Sequence, residues 1–174
     1  VDIAIKAALT GHLVLSTLHT NTAVGAIVRL VNMDVEPYLI TASLICSVAQ
    51  RLVRKICPYC KEKYTLKPEI IKNLKLTSLS QSAVEEPLKE KEFFRGKGCK
   101  FCFNMGYSGR AGIAEVMMLT PAIKELILTR ASERIIKEKA RAEGMKTLRE
   151  AAFSLVCKGI TTLEEVLRVT TADE

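Results

Sequence analysis

The stretch "GHLVLSTLHTN", Gly11 to Asn21, holds both histidines of the chain, one near each end of a short apolar run. Its aliphatic and β-branched residues lie between a glycine and a polar cluster, a pattern that predicts a short buried strand over Val14 to Leu18. An extended chain advances about 3.3 Å per residue, which places the two imidazoles about 23 Å apart. His12 and His19 therefore cannot share one metal ion, and each needs its own explanation.

The segments around this stretch predict the order helix, strand, helix. Ile3 to Leu9 is amphipathic, and Asn21 offers an N-cap for a helix from about Thr22 to Asn32. Pro37 opens a further helix through Ala49. Its almost continuous apolar surface predicts burial on several sides, with Cys46 as a core residue.

A strand between helices is an α/β pattern, but one or two strands cannot form a doubly wound sheet by themselves. The sequence also begins in the middle of this pattern, at "VDIA", without an initiator methionine or a signal peptide. We therefore expect the chain to be a piece of a longer protein whose preceding part supplies the remaining strands.

The composition is that of a packed globular protein, since 48% of the 174 residues are hydrophobic and only 5 are proline. The net charge of +7 comes from 26 basic and 19 acidic residues without a run of five like charges. This mixture predicts a mixed-charge surface and no nucleic-acid partner. No apolar run approaches the roughly 20 residues of a membrane span, so we expect a soluble protein.

Four of the six cysteines form two C-x-x-C pairs, Cys57 with Cys60 and Cys99 with Cys102, and 38 residues separate the pairs. One such turn places two thiolates on one side of a metal ion, its backbone amides can donate to the sulfurs, and two turns complete a tetrahedron. The alternatives are disulfides or unrelated core thiols, which the absence of a secretory signal disfavours. The spacing therefore predicts one closed, structural zinc site.

The segment between the cysteine pairs has the composition of an insertion, and the zinc ion would hold the two ends of this insertion together. It is rich in charged and polar residues and has one short amphipathic piece, Pro68 to Leu74. After the second pair, "GYSGRAGIAEVMML" contains turn glycines and then a predicted strand over Ile113 to Leu119. The core of the protein is expected to resume at this strand.

The remainder of the chain is predicted to be helical because helix-start and helix-stop signals recur along it. Four helices are expected, with start signals near Thr120, Ser132, Thr147 and Thr162. Glu150 and Glu165 have the spacing of capping partners for the last two helices. One-sided apolar stripes predict that the four helices pack as a small bundle.

Five segments together resemble the C-terminal half of one family, the type II secretion ATPases called GspE and their type IV pilus assembly relatives called PilB. The segments are "TGHLVLSTLHTN", "QRLVRKICPYC", "CKFC", "GYSGRAGIAEVMMLTP" and "GMKTLREAAFSLVCKGITTLEEVLRVT", in this order. The first matches the family's histidine box, and the cysteines match its tetracysteine metal-binding subdomain. The resemblance implies a hexameric, RecA-like ATPase, cytoplasmic at the inner membrane, that converts ATP hydrolysis into movement of pilin-like subunits.

On this resemblance the fold is α/β, the C-terminal part of a RecA-like P-loop ATPase lobe with an inserted zinc subdomain and a C-terminal helical subdomain. Residues 1–56 would be the partial ATPase core with the histidine box, and 57–102 the tetracysteine subdomain. Residues 103–119 would be the return strand of the core, and 120–174 the helical subdomain. The implied partners are further copies of the longer protein in a homohexamer and the inner-membrane platform proteins of secretion or pilus assembly.

Two elements of the family's active site are absent from this sequence. The phosphate-binding pattern G-x-x-x-x-G-K followed by Ser or Thr does not occur, since the only Gly-x-Gly is Gly96-Lys97-Gly98 beside a cysteine pair. There is also no hydrophobic strand that ends in Asp-Glu to hold magnesium. In the family both elements precede the histidine box, so ATP and magnesium are expected only in the longer protein. The chain alone should not hydrolyse ATP.

The two histidines differ in their expected position along the strand. In open parallel sheets, ligands bind beyond the carboxyl ends of the strands. His19 lies just past that end and could donate to the γ-phosphate, which matches the role that the resemblance implies for the histidine box. For His12, at the amino end, a nucleotide-side role and a simple loop hydrogen bond are about equally expected. Arg51 and Arg110 could lie near nucleotide or a neighbouring subunit, although exposed arginines of a basic protein are usually surface residues.

A second class of function shares some of these features. Basic charge and two C-x-x-C turns also fit a zinc ribbon that binds nucleic acid. Against it, the residues around the cysteines do not interleave aromatic rings with clustered Arg and Lys as a stacking platform would. A third class is a purely structural interaction module. The motor ATPase is the leading hypothesis, and the zinc ribbon or interaction module is the alternative.

Overall fold

A computed structural model describes residues 1–65 and 92–170. In chain order, the elements in these two ranges are α1 (Asp2–Leu9), α2 (Ala23–Val31), α3 (Pro37–Ser43), β1 (Cys46–Ile56), β2 (Lys61–Tyr64), β3 (Phe93–Gly96), a 3-10 turn (Lys100–Cys102), β4 (Tyr107–Met118), α4 (Pro121–Leu128), α5 (Glu133–Ala142), α6 (Leu148–Cys157) and α7 (Leu163–Val169). The amphipathic piece predicted at Pro68 to Leu74 lies outside the described residues. The chain divides into a first unit, Val1–Ala49 with Ala114–Lys146, and a second unit, Gln50–Ile113 with Thr147–Glu174.

Helices α1 to α5 make up most of the first unit. Helix α3 packs against α1, α2 and α4, and α5 packs against α2 and α4. The apolar side chains that these helices and β4 bury include Val24, Ile27, Ile40, Met117, Ile123, Ile127 and Ile136. Side-chain caps set where two of the helices begin, since Thr22 Oγ1 accepts from Gly25 N at 2.9 Å and Thr120 Oγ1 accepts from Ile123 N at 3.3 Å.

Strands β1 and β4 pair to form a two-stranded sheet. Leu119 N donates to Ile45 O just beyond one end of the pair, and Cys57 N donates to Gly106 O just beyond the other. The two strands therefore run antiparallel. Near the end that joins Ile45 and Leu119, buried and exposed residues alternate along both strands, which is the period of a sheet with one covered face.

The second unit adds a smaller sheet and two helices. Strands β2 and β3 pair antiparallel, from Lys61 opposite Gly96 to Tyr64 opposite Phe93. Helix α6 packs against α7 and against β3. The apolar side chains buried in this unit include Val53, Ile56, Phe93, Ala152, Phe153, Val156, Leu163 and Val166.

The helix predicted from Pro37 to Ala49 is wrong in its second half. Helix α3 ends at Ser43, Leu44 has an extended backbone with ψ of 128°, and β1 begins at Cys46. Cys46 is exposed, and the neighbouring Ser47 is buried. A buried helix and a strand both give an apolar run, and periodicity alone cannot separate them over so few residues.

The strand predicted over Val14 to Leu18 is also not found. Residues 12–20 have no regular secondary structure, and within the described ranges no other strand pairs with them. Leu13 and Leu15 would share one face of a strand and are 80% and 90% exposed, whereas a strand buried on both faces, as predicted, would cover that face. A β-type composition favours an extended chain, but a ladder requires a neighbouring strand to accept its hydrogen bonds. The helix that follows is capped by Thr22 and not by the predicted Asn21.

The four C-terminal helices are confirmed as elements, and Thr147 and Glu150 form the predicted capping box of α6. The role predicted for Glu165 is wrong. Thr162 Oγ1 caps α7 by accepting from Glu165 N, but the Glu165 carboxylate binds Arg54 and Arg168. Helices α4 and α5 belong to the first unit, and α6 and α7 belong to the second. Their assignment to one C-terminal subdomain stays a prediction.

Candidate metal centre and histidine segment

The four predicted ligand sulfurs come together at one point of the second unit. The Sγ atoms of Cys57, Cys60, Cys99 and Cys102 all lie within 4.8 Å of one another. Three of the separations are 3.9 Å for Cys57 to Cys99, 3.8 Å for Cys60 to Cys102, and 3.7 Å for Cys99 to Cys102. None of these cysteines is in a disulfide, which excludes the disulfide alternative for these four residues.

These separations fit the coordination geometry of zinc. A tetrahedral zinc ion with Zn–S bonds of about 2.3 Å requires sulfurs about 3.8 Å apart. A disulfide would require about 2.0 Å, and unrelated core thiols would have no reason to converge in a group of four. Cys57 and Cys102 are buried, and Cys60 and Cys99 are partly exposed. The cluster could therefore hold one metal ion in a closed site with four thiolate ligands.

Backbone hydrogen bonds on either side of the cluster hold the two cysteine turns. Cys57 directly follows β1, and its N–H donates to Gly106 O at 3.0 Å. Cys60 lies where β2 begins, and its carbonyl accepts from Lys97 N at 2.9 Å. Cys99 accepts at its carbonyl from Asn104 N at 3.0 Å, which closes the second turn. The ligands are thus attached to two short sheets and not to free loops.

Backbone amides also point at the sulfurs themselves. Gly98 N donates to Cys60 Sγ, and both Cys99 N and Gly106 N donate to Cys102 Sγ, each at 3.3 Å. Burial raises the pKa of the Cys102 thiol, but the two amide donors together with the Cys99 and Cys60 side chains outweigh burial and lower its pKa to about 7. Burial raises the pKa of Cys60 to about 12. A metal ion that binds all four sulfurs would have to displace the proton of Cys60.

Two glycines allow the close backbone contact beneath the cluster. A Cβ atom on Gly96 would lie 2.0 Å from Gly106 O, and a Cβ on Gly106 would lie 2.5 Å from Gly96 O. Gly106 also has a φ of +76°, a conformation that residues with a side chain rarely adopt. Glycine is therefore required at both positions for β3 to reach the chain that leaves the second cysteine turn.

The centre carries more exposed aromatic surface than the sequence analysis expected. Tyr59 and Phe101, one from each cysteine turn, stack with ring centroids 4.4 Å apart, and Phe103 is 83% exposed. Lys100 lies 5.3 Å from the Phe101 ring, and in the same unit Arg54, Lys61 and Arg95 lie 4.2 to 5.7 Å from the rings of Tyr107, Phe94 and Tyr64. The expectation that the residues around the cysteines do not combine aromatic rings with basic side chains is therefore not confirmed.

The histidines lie in the first unit, whereas the cysteines lie in the second. His12 is exposed, and its Nδ1 is 3.0 Å from Thr10 Oγ1. His19 is exposed near the carboxyl end of the irregular segment, three residues before Thr22 caps α2. The histidines and the cysteine cluster thus belong to different units, and the histidines lie in an irregular segment and not on a sheet strand.

The two candidate arginines lie on the strands that pair with each other. Arg51 on β1 is partly buried, and its Nη1 donates to Gln50 O at 3.1 Å. Arg110 on β4 is exposed. Their roles beside nucleotide or a neighbouring subunit stay predictions.

Sequence reasoning missed two buried carboxylates. Glu115, 2% exposed on β4, accepts from the backbone N–H of Ala23 at 2.7 Å, where α2 begins. Glu165, fully buried, accepts from Arg54 N, Nε and Nη2 and from Arg168 Nε and Nη2, at 2.7 to 2.9 Å. Alternation in β4 offered a signal for the first, because Glu115 shares its parity with the apolar Ile113 and Met117.

A family model described as "Type II/IV secretion system protein" matches residues 1–168. The chain belongs to this family. The "Type II secretion system ATPase E" of Vibrio cholerae is 47% identical over 169 residues, which are 97% of this chain and 32% of the relative. The "Type IV pilus assembly ATPase PilB" of Thermus thermophilus is 46% identical over 165 residues, which are 95% of this chain and 18% of the relative.

Among solved structures, the pilus retraction motor PilT with bound ADP matches with a TM-score of 0.60 and 22% identity, over 99% of this chain and 36% of that one. At this identity the likeness concerns the fold alone, which is α/β like that of the PilT motor. This chain spans about a third of the Vibrio relative's length and under a fifth of the Thermus relative's. These relatives confirm the resemblance drawn from the sequence and do not favour the nucleic-acid alternative.

No helix within residues 1–65 and 92–170 combines the length and the apolar character that crossing a membrane requires.

Proposed function

We propose that this chain is the C-terminal part of a motor ATPase of type II secretion or type IV pilus assembly, which couples ATP hydrolysis to the movement of pilin-like subunits. The observation that carries this proposal is the match to the secretion-system family over residues 1–168, with relatives named as ATPases of both systems. The longer protein would act as a homohexamer in the cytoplasm, bound to the inner membrane through platform proteins.

The proposed roles of the individual parts of the chain are those that the sequence predicts. Residues 1–56 and 103–119 would complete the ATPase core, 57–102 would be the metal-binding subdomain, and 120–174 would be the helical subdomain. ATP and magnesium would bind in the longer protein, because this sequence has no phosphate-binding loop of the G-x-x-x-x-G-K type. The chain alone would neither bind ATP tightly nor hydrolyse it.

Zinc is the metal that the cysteine cluster suits best. Four thiolates are soft ligands, and sulfur separations of 3.7 to 3.9 Å match a tetrahedral zinc ion. All four positions are taken by protein ligands, so the ion would have a structural role and would not bind a water for catalysis. Its role would be to join the backbone on both sides of the segment between the cysteine pairs.

The nucleotide-side residue would be His19, with His12, Arg51 and Arg110 as weaker candidates. His19 is exposed and lies close to the rigid start of α2. An exposed imidazole on such a segment can approach a phosphate that another part of the longer protein or a neighbouring subunit binds. It would donate a hydrogen bond to the charge that develops during phosphoryl transfer.

A chimera tests the proposed function directly. The 169 aligned residues of the Vibrio cholerae relative would be replaced by those of this chain, and ATP turnover and protein secretion would be measured. A matched chimera in the Thermus thermophilus relative, with pilus assembly as the readout, would show which system the chain serves. We expect turnover and transport in at least one of the two. Folded chimeras that bind ATP but restore turnover in neither background would contradict the proposal.

The isolated chain provides the second test. Calorimetry with magnesium-ATP should detect no micromolar binding, and a coupled assay should detect no turnover. Micromolar binding by the isolated chain would mean that a nucleotide site lies within these 174 residues.

A further inference from the structure

The junction between the segment that carries the histidines, residues 12–20, and α2 is bound by side chains from three elements. Ala23 is 1% exposed, its N–H donates to Glu115 Oε1 at 2.7 Å, and its carbonyl accepts from Ser47 Oγ at 2.8 Å. One residue earlier, Thr22 Oγ1 donates to Glu133 Oε1 at 3.2 Å. Strand β4, strand β1 and helix α5 thus each contribute one side chain to two consecutive residues. All of these contacts lie within the first unit.

The segment just before this junction, residues 12–20, has no regular secondary structure. Within it, Thr20 N donates to Leu18 O at 3.2 Å. His19 lies four residues before Ala23. The contacts at Thr22 and Ala23 therefore fix the chain on the C-terminal side of His19.

The Glu115 carboxyl group also determines whether the N-terminus of α2 can bind an anion. The free N–H groups at the start of a helix attract anions, and a phosphate often binds there. In this chain the Ala23 N–H already donates to Oε1 of the buried Glu115. The start of α2 is therefore not available to a phosphate at this N–H. The carboxylate instead serves to hold the backbone.

We infer that Glu115 is a positioning residue for His19: by binding the first N–H of α2, it sets the histidine segment in the place from which His19 reaches the transferring phosphate. This inference rests on the proposed function of His19. Glu115 itself does not contact nucleotide. Burying a carboxyl group is costly for a protein unless the group is hydrogen-bonded, and an ordinary helix start does not need one, since Thr22 already caps α2.

Hydrogen exchange on the isolated chain tests the positioning step without any nucleotide. In Glu115→Ala, amides of residues 19–25 should exchange about 10-fold to 100-fold faster, because the buried Ala23 N–H loses the acceptor at Glu115 Oε1. Glu115→Gln keeps a carbonyl acceptor and should restore most of the protection. Glu143→Ala is the matched control, since Glu143 also accepts from the N-cap of a helix, Thr120 of α4, at 2.7 Å. It should leave residues 19–25 unchanged.

Turnover in the chimera described above tests the catalytic consequence. Glu115→Ala should lower the turnover number by up to about 100-fold with little change in the KM for ATP, because a displaced group loses alignment and not binding. Glu115→Gln should recover most of it. If Glu115→Ala does not fold, Ser47→Ala removes the opposite contact of Ala23 and should give the same pattern at a smaller size.

The outcomes separate the inference from the proposed function. Unchanged exchange at residues 19–25 in both Glu115→Ala and Ser47→Ala overturns the inference whatever the turnover. A loss of turnover in His19→Ala but not in Glu115→Ala overturns it as well, while the role of His19 stands. Faster exchange together with full turnover in both His19→Ala and Glu115→Ala contradicts the role of His19 itself, and with it the catalytic consequence of Glu115.

Discussion

The metal centre and the histidine segment were both expected from short sequence motifs, but the structure supports them in opposite ways. Around the cysteines, three backbone amides donate to sulfurs and further hydrogen bonds tie each turn to a sheet. Around the histidines, residues 12–20 have no regular structure, His12 contacts Thr10, and Thr22 and Ala23 bind side chains of Glu133, Glu115 and Ser47. The cysteine turns are thus held by nearby backbone, whereas the chain after His19 is held by side chains from elements distant in the sequence.

This difference shows how far each motif can position its functional side chains by itself. A C-x-x-C turn presents its two ligands through its own backbone, so two such turns need only be brought together by β1, β4, β2 and β3. A histidine in the irregular segment, residues 12–20, has no comparable local turn that presents its side chain. Its position depends on contacts from residues about 30 to 110 positions away in the sequence, such as Ser47, Glu115 and Glu133. Four experiments would break or sharpen this contrast.

Metal removal should have the largest effect. We expect one zinc ion per chain by elemental analysis, and structural zinc sites contribute an apparent binding free energy of about 10 to 16 kcal/mol at neutral pH. A chelator, or Cys99→Ser, should therefore unfold the β2–β3 sheet while the circular-dichroism signal of the helices in the first unit remains. Cys46→Ser is the control, because Cys46 is exposed and outside the cluster. Four freely titratable thiols in a folded, metal-free chain would exclude the site.

The variants of the two histidines should differ in ATP turnover. In the chimera, His19→Ala should lower ATP turnover about 100-fold to 1,000-fold with little loss of ATP binding, as the removal of one donor to developing charge typically does. His12→Ala should act mainly on the thermal midpoint, through the loss of its contact with Thr10. Turnover, nucleotide affinity and thermal midpoint would be measured for both variants. Equal losses of turnover with unchanged midpoints would contradict the distinction between the two residues.

The glycine contact beneath the metal centre should have an intermediate effect. Gly106→Ala would place a Cβ atom 2.5 Å from Gly96 O and move the amide that donates to Cys102. We expect zinc affinity to fall about 10-fold to 100-fold, as it does when an outer hydrogen bond to a ligand is lost. The control is Gly144→Ala, where φ is +99° but no atom lies within 4 Å of the new Cβ. It should cost only the strain of the left-handed conformation, about 1 to 2 kcal/mol.

The buried carboxylate of the second unit should give the smallest of the four effects. Burial raises the pKa of Glu165, but the hydrogen bonds from Arg168 and Arg54 outweigh it and lower the pKa from 4.5 to about 2. A lowered pKa stabilises the fold above about pH 4.5, and this contribution is lost as the pH falls towards 2. Glu165→Gln should lower the free energy of unfolding by about 1 to 3 kcal/mol at neutral pH.

The measurement for Glu165 is the thermal midpoint of the wild type and the variant between pH 6 and pH 2.5. The difference between them should shrink as the pH falls, because the wild type loses the same carboxylate charge. Glu138→Gln, which breaks an exposed ion pair with Arg134, should change the midpoint little at any pH. A difference that stays constant with pH would show that the charge of Glu165 does not contribute.

Local chemistry made much of the molecule predictable. The helix starts at Thr120, Thr147 and Thr162 follow from side chains that accept from N–H groups three residues ahead, so the sequence suffices to place them. The four metal ligands follow from the C-x-x-C spacing, since each turn presents two thiolates by itself. The α/β class followed from the family resemblance, since the strand over Val14 to Leu18 on which the periodicity argument rested is not found. The family follows from five motifs in a fixed order.

Tertiary structure decided the features that depend on distant partners. Whether residues 44–49 continue a helix or begin a strand was settled by β4, which lies about 70 positions later in the sequence and pairs with them. Val14 to Leu18 did not become a sheet strand, because within the described ranges no neighbouring strand accepts its hydrogen bonds. Glu115 and Glu165 became buried because β4 and α7 carry them to backbone and guanidinium donors that no local pattern reveals. Caps and metal turns act within a few residues, whereas sheet pairing and buried charges require the folded chain.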